Sequence, residues 1–516
     1  MTPPANSGLH GFKSAGLPTP VVFSATAPVA TGLTSVKLIG NRHQQAHATV
    51  AALRTVNKAK LRLFQRGTGL IRRIRNDNMN TQRLEDITTP DMLAMELAQM
   101  LTFEQGGREL EGPPMTLVRH LLSMETEAWG LPRLERVVDI PFFDSQGMLV
   151  QDNGYHPEVS IWLDTGTLKL SPVSDRPTAS ELEKAQALLN ELLQDFPFDS
   201  RASKANAVAA ILTPHLRQLI GGPVPFALLS ASMPGSGKTL LAQLVAALAS
   251  RAPVGLYPEV RGDDEWRKRL LGILRGQPAV VIFDNINSAL DSGVLANVLT
   301  SGVFQDRALG GNQTESHLNR SLFMFTANNP SVSPELTRRA SLIRLNAGVA
   351  RPQNRIFSCP DLLAMVQAQR ADYLWAIFTL IQGWLATGKP QGTVTEGGMR
   401  AYCQVAGGFT ETFGYGPVLA NAADLTEQAG HEQEELLAFI HVWAARFGTT
   451  TVTATQLAQL IADEGLVFDG LTTLHPTGVG KLVKRYRDAV LGGYQVRVTP
   501  DPSNKRSVYS LEALSV

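Results

Sequence analysis

Between Thr178 and Asp195 the apolar residues Leu182, Ala185, Leu188, Leu189 and Leu192 recur at three- and four-residue steps, which places them on one face of a helix. Asp195-Phe-Pro-Phe198 breaks that period, and a second helical stretch runs from Ser203 to Ile220 into Gly221-Gly-Pro223. From there the pattern changes. Short apolar runs at Phe226–Ser230, Val254–Tyr257, Ala279–Phe283, Leu322–Ala327 and Ser341–Leu345 alternate with helix-forming stretches such as Leu240–Ala249. Runs that are apolar on both faces and separated by helices predict an α/β core with a parallel sheet between helices.

On the N-terminal side, Val36–Arg75 predicts a small α/β unit: a short strand, a polar helix around Gln44–Val56, and a hairpin in which Lys60–Arg66 and Leu70–Arg75 alternate across Gly67-Thr-Gly69. The hairpin carries Arg62, Arg66, Arg72, Arg73 and Arg75, which suit a solvated strand face and a nucleic-acid contact equally well. Helices follow at Pro90–Leu101 and Pro114–Met124, then strands and turns over Pro132–Leu170, with further helices at Cys359–Ala386 and Glu432–Phe447. The last segment is ordered as helix (Thr453–Ile461), helix (Gly478–Val490), strand (Tyr494–Val498), turn and strand (Arg506–Leu511), the order of a winged helix-turn-helix. Lys481, Lys484 and Arg485 share one face of its second helix, and Arg497, Lys505 and Arg506 fall on the wing, where they suit phosphate contact or plain solvation. The expected organisation is a flexible tail (1–32), an N-terminal α/β region (33–200), the sheet-bearing core (201–346), a helical region (347–448) and a winged-helix DNA-binding domain (449–516).

Composition narrows the classes. A net charge of +1 with 18% charged residues excludes a globally basic chain, so nucleic acid must be met through local patches. Two cysteines, Cys359 and Cys403, match no metal-ligand spacing and suit a reducing, cytoplasmic setting. Residues 1–32 lack the basic start and apolar centre of a secretory signal. The apolar stretch Tyr373–Ala386 falls short of the roughly 20 residues that span a bilayer, so no membrane partner is expected.

The chemistry lies between the first apolar run of the core and the helix after it. Ser232-Met-Pro-Gly-Ser-Gly-Lys-Thr239 is a phosphate-binding loop with Ser232 where glycine is usual. Pro234, Gly235, Ser236 and Gly237 would let backbone N–H groups curl around a triphosphate, Lys238 would reach its β/γ oxygens, and the Thr239 hydroxyl would hold Mg²⁺. ATP with Mg²⁺ is the expected ligand. Ala279–Asp284 ends in the carboxylate expected to complete the Mg²⁺ shell, and the next residue is Asn285 where many ATPases place a glutamate. An amide positions water but accepts protons poorly, so Glu265, with Glu259 second, is the candidate to orient the attacking water. Leu322–Asn329 ends in amides, of which Asn328 is the candidate to sense the γ-phosphate or the water.

Asp284, Asn328 and the pair Arg338-Arg339, in this order, resemble the AAA+ ATPases, and their compact spacing resembles superfamily III helicases and their relatives. Gly154-Tyr155, Asp195–Phe198, Leu212-Thr-Pro214, Phe283–Asn285, Arg307–Gly310 and Ala327–Pro330 are similar to the helicase portion of replication proteins on phages, plasmids and integrative elements, over roughly residues 130–511. The resemblance implies an ATP-driven ring, a hexamer favoured, working on DNA in the replication of a mobile element. It implies that Arg338 or Arg339 acts across the subunit interface, and that the insert from Arg307 to Arg320 projects a hairpin into the pore, where Arg307 and His317 would meet single-stranded DNA. Duplex would bind at the winged helix. No zinc-ribbon cysteines or acidic polymerase cluster accompany it, so no priming activity is expected of this chain, and a separate primase is a candidate partner. The competing expectation is a DNA-bound initiator or loader that uses ATP as an assembly switch and hydrolyses little.

Overall fold

The computed structural model describes residues 33–76, 81–307, 314–328, 330–349, 351–466, 468, 475–500 and 507–513. The expected tail at 1–32 lies outside them. The chain divides into two compact units, one formed by the residues up to Lys60 with Thr89–Met124, the other by Leu61–Thr88 and everything from Glu125 onward.

In the first unit the strand Thr34–Lys37 pairs in parallel with Leu101–Gln105, which pairs antiparallel with Arg108–Leu110. The helix Pro90–Met100 starts where its sequence directs, with Thr89 as a cap whose side chain accepts from the Met92 N–H and proline at the first position. The hairpin expected to complete this unit belongs to the other one. Its strands Leu63–Arg66 and Gly69–Asn76 are present, but Phe64 and Ile71 bury themselves against Leu134, and the Gln65 backbone exchanges hydrogen bonds with Pro132 and Leu134. Its arginines are largely committed. Arg66 bonds Asp86 at 2.8 Å and the Arg275 carbonyl at 3.0 Å, Arg72 bonds Glu85 at 2.6 Å, and Arg73 stacks 3.7 Å above the Trp162 ring. These three are strand-face residues.

The second unit is built on a five-stranded parallel sheet. Its strands are β1 (Phe226–Ala231), β2 (Leu256–Tyr257), β3 (Val280–Ile286), β4 (Leu322–Asn328) and β5 (Ala340–Leu345), in the spatial order β2-β3-β4-β1-β5. The helix α1 (Arg201–Ile220) precedes β1, and α2 (Lys238–Ala249), α3 (Asp263–Arg275) and α4 (Gly293–Thr300) fall between the strands. Both faces are covered, which is why the strands read as continuous apolar runs. Ala227, Leu229, Ile282, Met324 and Ile343 join the core containing α1 and α2. Their sequence neighbours Phe226, Leu228, Phe283, Phe325 and Leu342 join the opposite core with Trp266 and Leu270 of α3. There Phe283 and Phe325 stack on adjacent strands, their rings 5.1 Å apart and 8° from parallel.

Around this sheet, the helix Ala179–Leu193 is started by a capping box between Thr178 and Glu181. It packs against the buried helix Arg370–Ala386, where Gly383 leaves room for Leu182: a Cβ there would come within 2.5 Å of a Leu182 methyl. No helix among the described residues is long and apolar enough to cross a membrane. Toward the C-terminus, the helices Ala454–Asp463 and Pro476–Arg485 pack on a four-stranded antiparallel sheet that includes Tyr494–Pro500 and Ser507–Ala513. Their shared core takes in Phe439, Ile440 and Trp443 from the preceding helix.

Candidate active site

Three central strands, β1, β3 and β4, end side by side, and the polar residues at or just beyond their C-terminal ends meet there. The loop leaving β1 turns through Gly235 (φ 78°) and Gly237 (φ 97°), both in the left-handed region that glycine enters without strain. Ser236 is buried and its hydroxyl closes the loop by donating to the Met233 carbonyl at 2.7 Å, while Ser232 and Pro234 are exposed. Gly237 precedes α2, and no side chain caps that helix, so its first N–H groups face the loop.

Lys238 opens α2 and its ammonium donates to Asn328 Oδ1 at 2.7 Å. Burial lowers the pKa of this lysine from its ordinary value, and the charge of Asp284 acts in the opposite direction. One turn face away, the Thr239 hydroxyl donates to Asp284 Oδ1 at 2.7 Å. Two hydrogen bonds thus tie the neighbours Lys238 and Thr239 to Asn328 and Asp284, 90 and 45 residues further along the chain, at the C-terminal ends of the central strands.

A fifth residue belongs to this group and was not singled out by its sequence. Thr326, 1% exposed, donates to the same Asp284 oxygen at 2.6 Å and accepts from the Asn285 N–H at 2.9 Å. It lies two residues before Asn328 on β4, so the two-residue period of a strand places both side chains on the same face. That spacing is the signal that would have found it.

Asn285 sits where the register of β3 shifts between Phe283 and Ile286, with φ 58°. Asparagine tolerates this left-handed backbone better than longer side chains do, which gives a local reason for an amide here. The structure does not bring Glu265 to the group. β2 is the edge strand, separated from β1 by β3 and β4, and Glu265 lies in the first turn of α3, exposed. Its carboxylate bonds Lys268 at 2.6 Å, and that hydrogen bond holds its pKa below the usual range. Glu259 follows β2 and binds the loop beyond β3, accepting from the Ser288 N–H at 2.9 Å and from the Ser288 hydroxyl.

The arginine pair divides. Arg339 donates to Thr300 at 2.6 Å and to the Glu335 carbonyl, and its guanidinium lies 3.5 Å from the Glu335 carboxylate. Arg338 ends the short helix Pro334–Thr337 and is exposed. The insert forms a hairpin of Val303–Arg307 with Thr314–Leu318. Arg307 is exposed at its distal end, whereas His317 lies opposite Phe304 nearer the base, half-buried. In the C-terminal region Lys481 and Lys484 are exposed on Pro476–Arg485. Arg497 lies on the strand Tyr494–Pro500, part-exposed, and pairs with Glu512 at 2.7 Å and Asp488 at 2.9 Å. Lys505, Arg506, Asn329 and the side chain of Arg485 lie outside the described residues.

No protein-family model matches the chain, and no curated protein matches it. Among solved structures it is similar to the apo A form of the NrS-1 C-terminal region, at 13% identity over 90% of this chain and 98% of that one, with a TM-score of 0.37. A second structure of that region matches at 11% identity over 89% and 98%, with a TM-score of 0.33. SCCmec type IV Cch, described as an active helicase, matches at 12% identity over 86% and 90%, with a TM-score of 0.34.

Proposed function

We propose that this chain is an AAA+ ATPase that drives DNA unwinding or translocation in the replication of a mobile genetic element, with ATP hydrolysed between the subunits of a ring, a hexamer favoured. The observation that carries this reading is the meeting of Lys238, Thr239, Asp284 and Asn328 at the ends of β1, β3 and β4. The donor set fits Mg²⁺-ATP. The uncapped start of α2 and the glycine loop would receive phosphate oxygens, Lys238 their negative charge, and the Thr239 hydroxyl with the Asp284 carboxylate the hard cation, which neutralises charge on the phosphates when bound. Asn328, already in reach of the lysine ammonium, would contact the terminal phosphate or the attacking water. Arg338 is the better finger, because Arg339 is engaged within its own chain. The distal hairpin with Arg307 would grip single-stranded DNA, and Lys481 and Lys484 of a winged helix would grip duplex.

A second reading, an initiator or loader with weak hydrolysis, is favoured by one feature: the position after Asp284 is an amide in a left-handed bulge, while Glu265 and Glu259 are bonded to Lys268 and Ser288. ATPase assays with and without single-stranded DNA, paired with native mass measurement, separate the two. The motor reading expects DNA-stimulated multiple turnover by a ring and its loss in Lys238→Ala. Tight ATP binding retained by Lys238→Ala would sink the phosphate-loop assignment, and slow turnover unaffected by DNA would favour the loader.

A further inference from the structure

At the N-terminal end of β3, opposite the phosphate loop, lies a cavity of about 390 Å³, within the range of small-ligand sites. It is bounded by the segment Arg136–Phe142, by Pro214 and His215 of α1, by Ala249, Ser250 and residues 252–255 at the end of α2 and just after it, and by residues 276–280 leading into β3. Ala249 closes α2 at this cavity and Lys238 opens it at the phosphate loop, so at 1.5 Å per residue the two places stand roughly 16 Å apart.

Its polar lining is unusual in what it lacks. Arg136 is 9% exposed and its Nε has no hydrogen-bond partner. The charges acting on it are Arg320, of the same sign, and Asp139. Arg217, buried beside it, feels both Arg136 and Arg320. The nearby acids are occupied: Asp139 Oδ2 accepts from the Ser250 hydroxyl and from the N–H groups of Arg251 and Ala252 at 2.7–3.2 Å, and Asp164 acts on Arg73. His215 is 1% exposed, and neither of its ring nitrogens is bonded. Burial drives its pKa down to about 3, so the ring is neutral and offers one donor and one acceptor. Among the described residues, Asp139 is the one opposite charge acting on Arg136, and it is set against the like charge of Arg320, so this buried cation is only partly compensated, which is costly in a folded chain unless a ligand supplies further negative charge. A guanidinium fork supplies two parallel donors matched to phosphate oxygens.

We infer that this cavity is a second ligand site, separate from the phosphate loop, which takes a small organic phosphate of about mononucleotide size, with Arg136 holding the phosphate and His215 a polar group of the attached nucleoside.

The test uses the full chain carrying Lys238→Ala, which disables the phosphate loop, and titrates it with AMP, GMP and inorganic pyrophosphate by calorimetry. The expected result is one site per chain for at least one probe, weakened at least tenfold by adding Arg136→Met and also by adding Ala252→Phe, which fills the cavity from a half-buried position and removes no charge. Adding His215→Leu should weaken the nucleotides more than pyrophosphate. No binding of any probe, or binding that neither Arg136→Met nor Ala252→Phe changes, would overturn the inference. Should Arg136→Met lose its circular dichroism signal, Ala252→Phe alone decides it.

Discussion

Replacing Thr326 by valine keeps the branched shape and removes one hydroxyl. That hydroxyl makes a hydrogen bond to the Asp284 carboxylate and receives one from the Asn285 N–H, in a site 1% exposed. A bond to a charged group contributes about 1.5–3 kcal/mol, whereas the N–H of Asn285, an exposed residue, can turn to water when its acceptor is lost. The variant should therefore be less stable by about 2 kcal/mol, a factor of about 30 in the folding equilibrium. Thr326→Ser keeps both bonds and loses one methyl, about 1 kcal/mol. Because Thr326 also fixes the orientation of Asp284, valine should weaken Mg²⁺-dependent nucleotide binding by roughly 10- to 100-fold, as removal of a hydrogen bond behind a metal ligand does. Scanning calorimetry on wild type, Thr326→Val and Thr326→Ser, with Mg²⁺ titrations of a fluorescent ATP analogue, reads both effects. A valine variant with the wild-type transition, or a serine variant as damaged as the valine one, would refute the reasoning.

The two arginines should separate under alanine substitution: Arg339→Ala loses about 1–2 kcal/mol of stability with its bonds to Thr300 and Glu335, whereas Arg338→Ala unfolds like wild type, loses turnover, and recovers part of it in rings mixed with Lys238→Ala subunits. No rescue in confirmed mixed rings would place Arg338 outside the interface. Truncation before residue 449 would strip the cover from Phe439, Ile440 and Trp443, so charge removal is the cleaner probe of the C-terminal region: Lys481→Gln with Lys484→Gln should lower the salt slope of duplex binding by about two, and an unchanged slope would mean these lysines touch no phosphate. Buried His215 titrates near 6.5 when unfolded and about 3 when folded. The unfolded chain therefore binds more protons below pH 6.5, and stability should fall with pH by about 1.4 kcal/mol per unit, or about 2 kcal/mol by pH 5. Calorimetry from pH 7 to 5 should show that component missing in His215→Leu; parallel profiles would show that His215 does not titrate as its burial requires.

Features that depend on a few neighbouring residues were legible in the chain. The helix that starts at Thr178, the turn between Arg66 and Gly69, and the loop that runs from an apolar strand into a helix at Lys238 each have their partners within a handful of positions. The convergence of Asp284 and Asn328 with that loop was expected from their order, since strands that are apolar on both faces must stack in one parallel sheet and end together. What the sequence could not decide was set by partners far along the chain. Arg73 and Arg66 of the hairpin became strand-face residues because Trp162 and the Arg275 carbonyl came to lie against them. Arg339 and Arg338, adjacent and chemically identical, differ because Thr300 is in reach of one. Glu265 turned to Lys268 because it opens a helix behind the edge strand. Arg136 and His215, unremarkable in sequence, share a cavity wall only once the sheet has closed over them. A local period sets which way a side chain points, and only the packed fold sets what waits for it there.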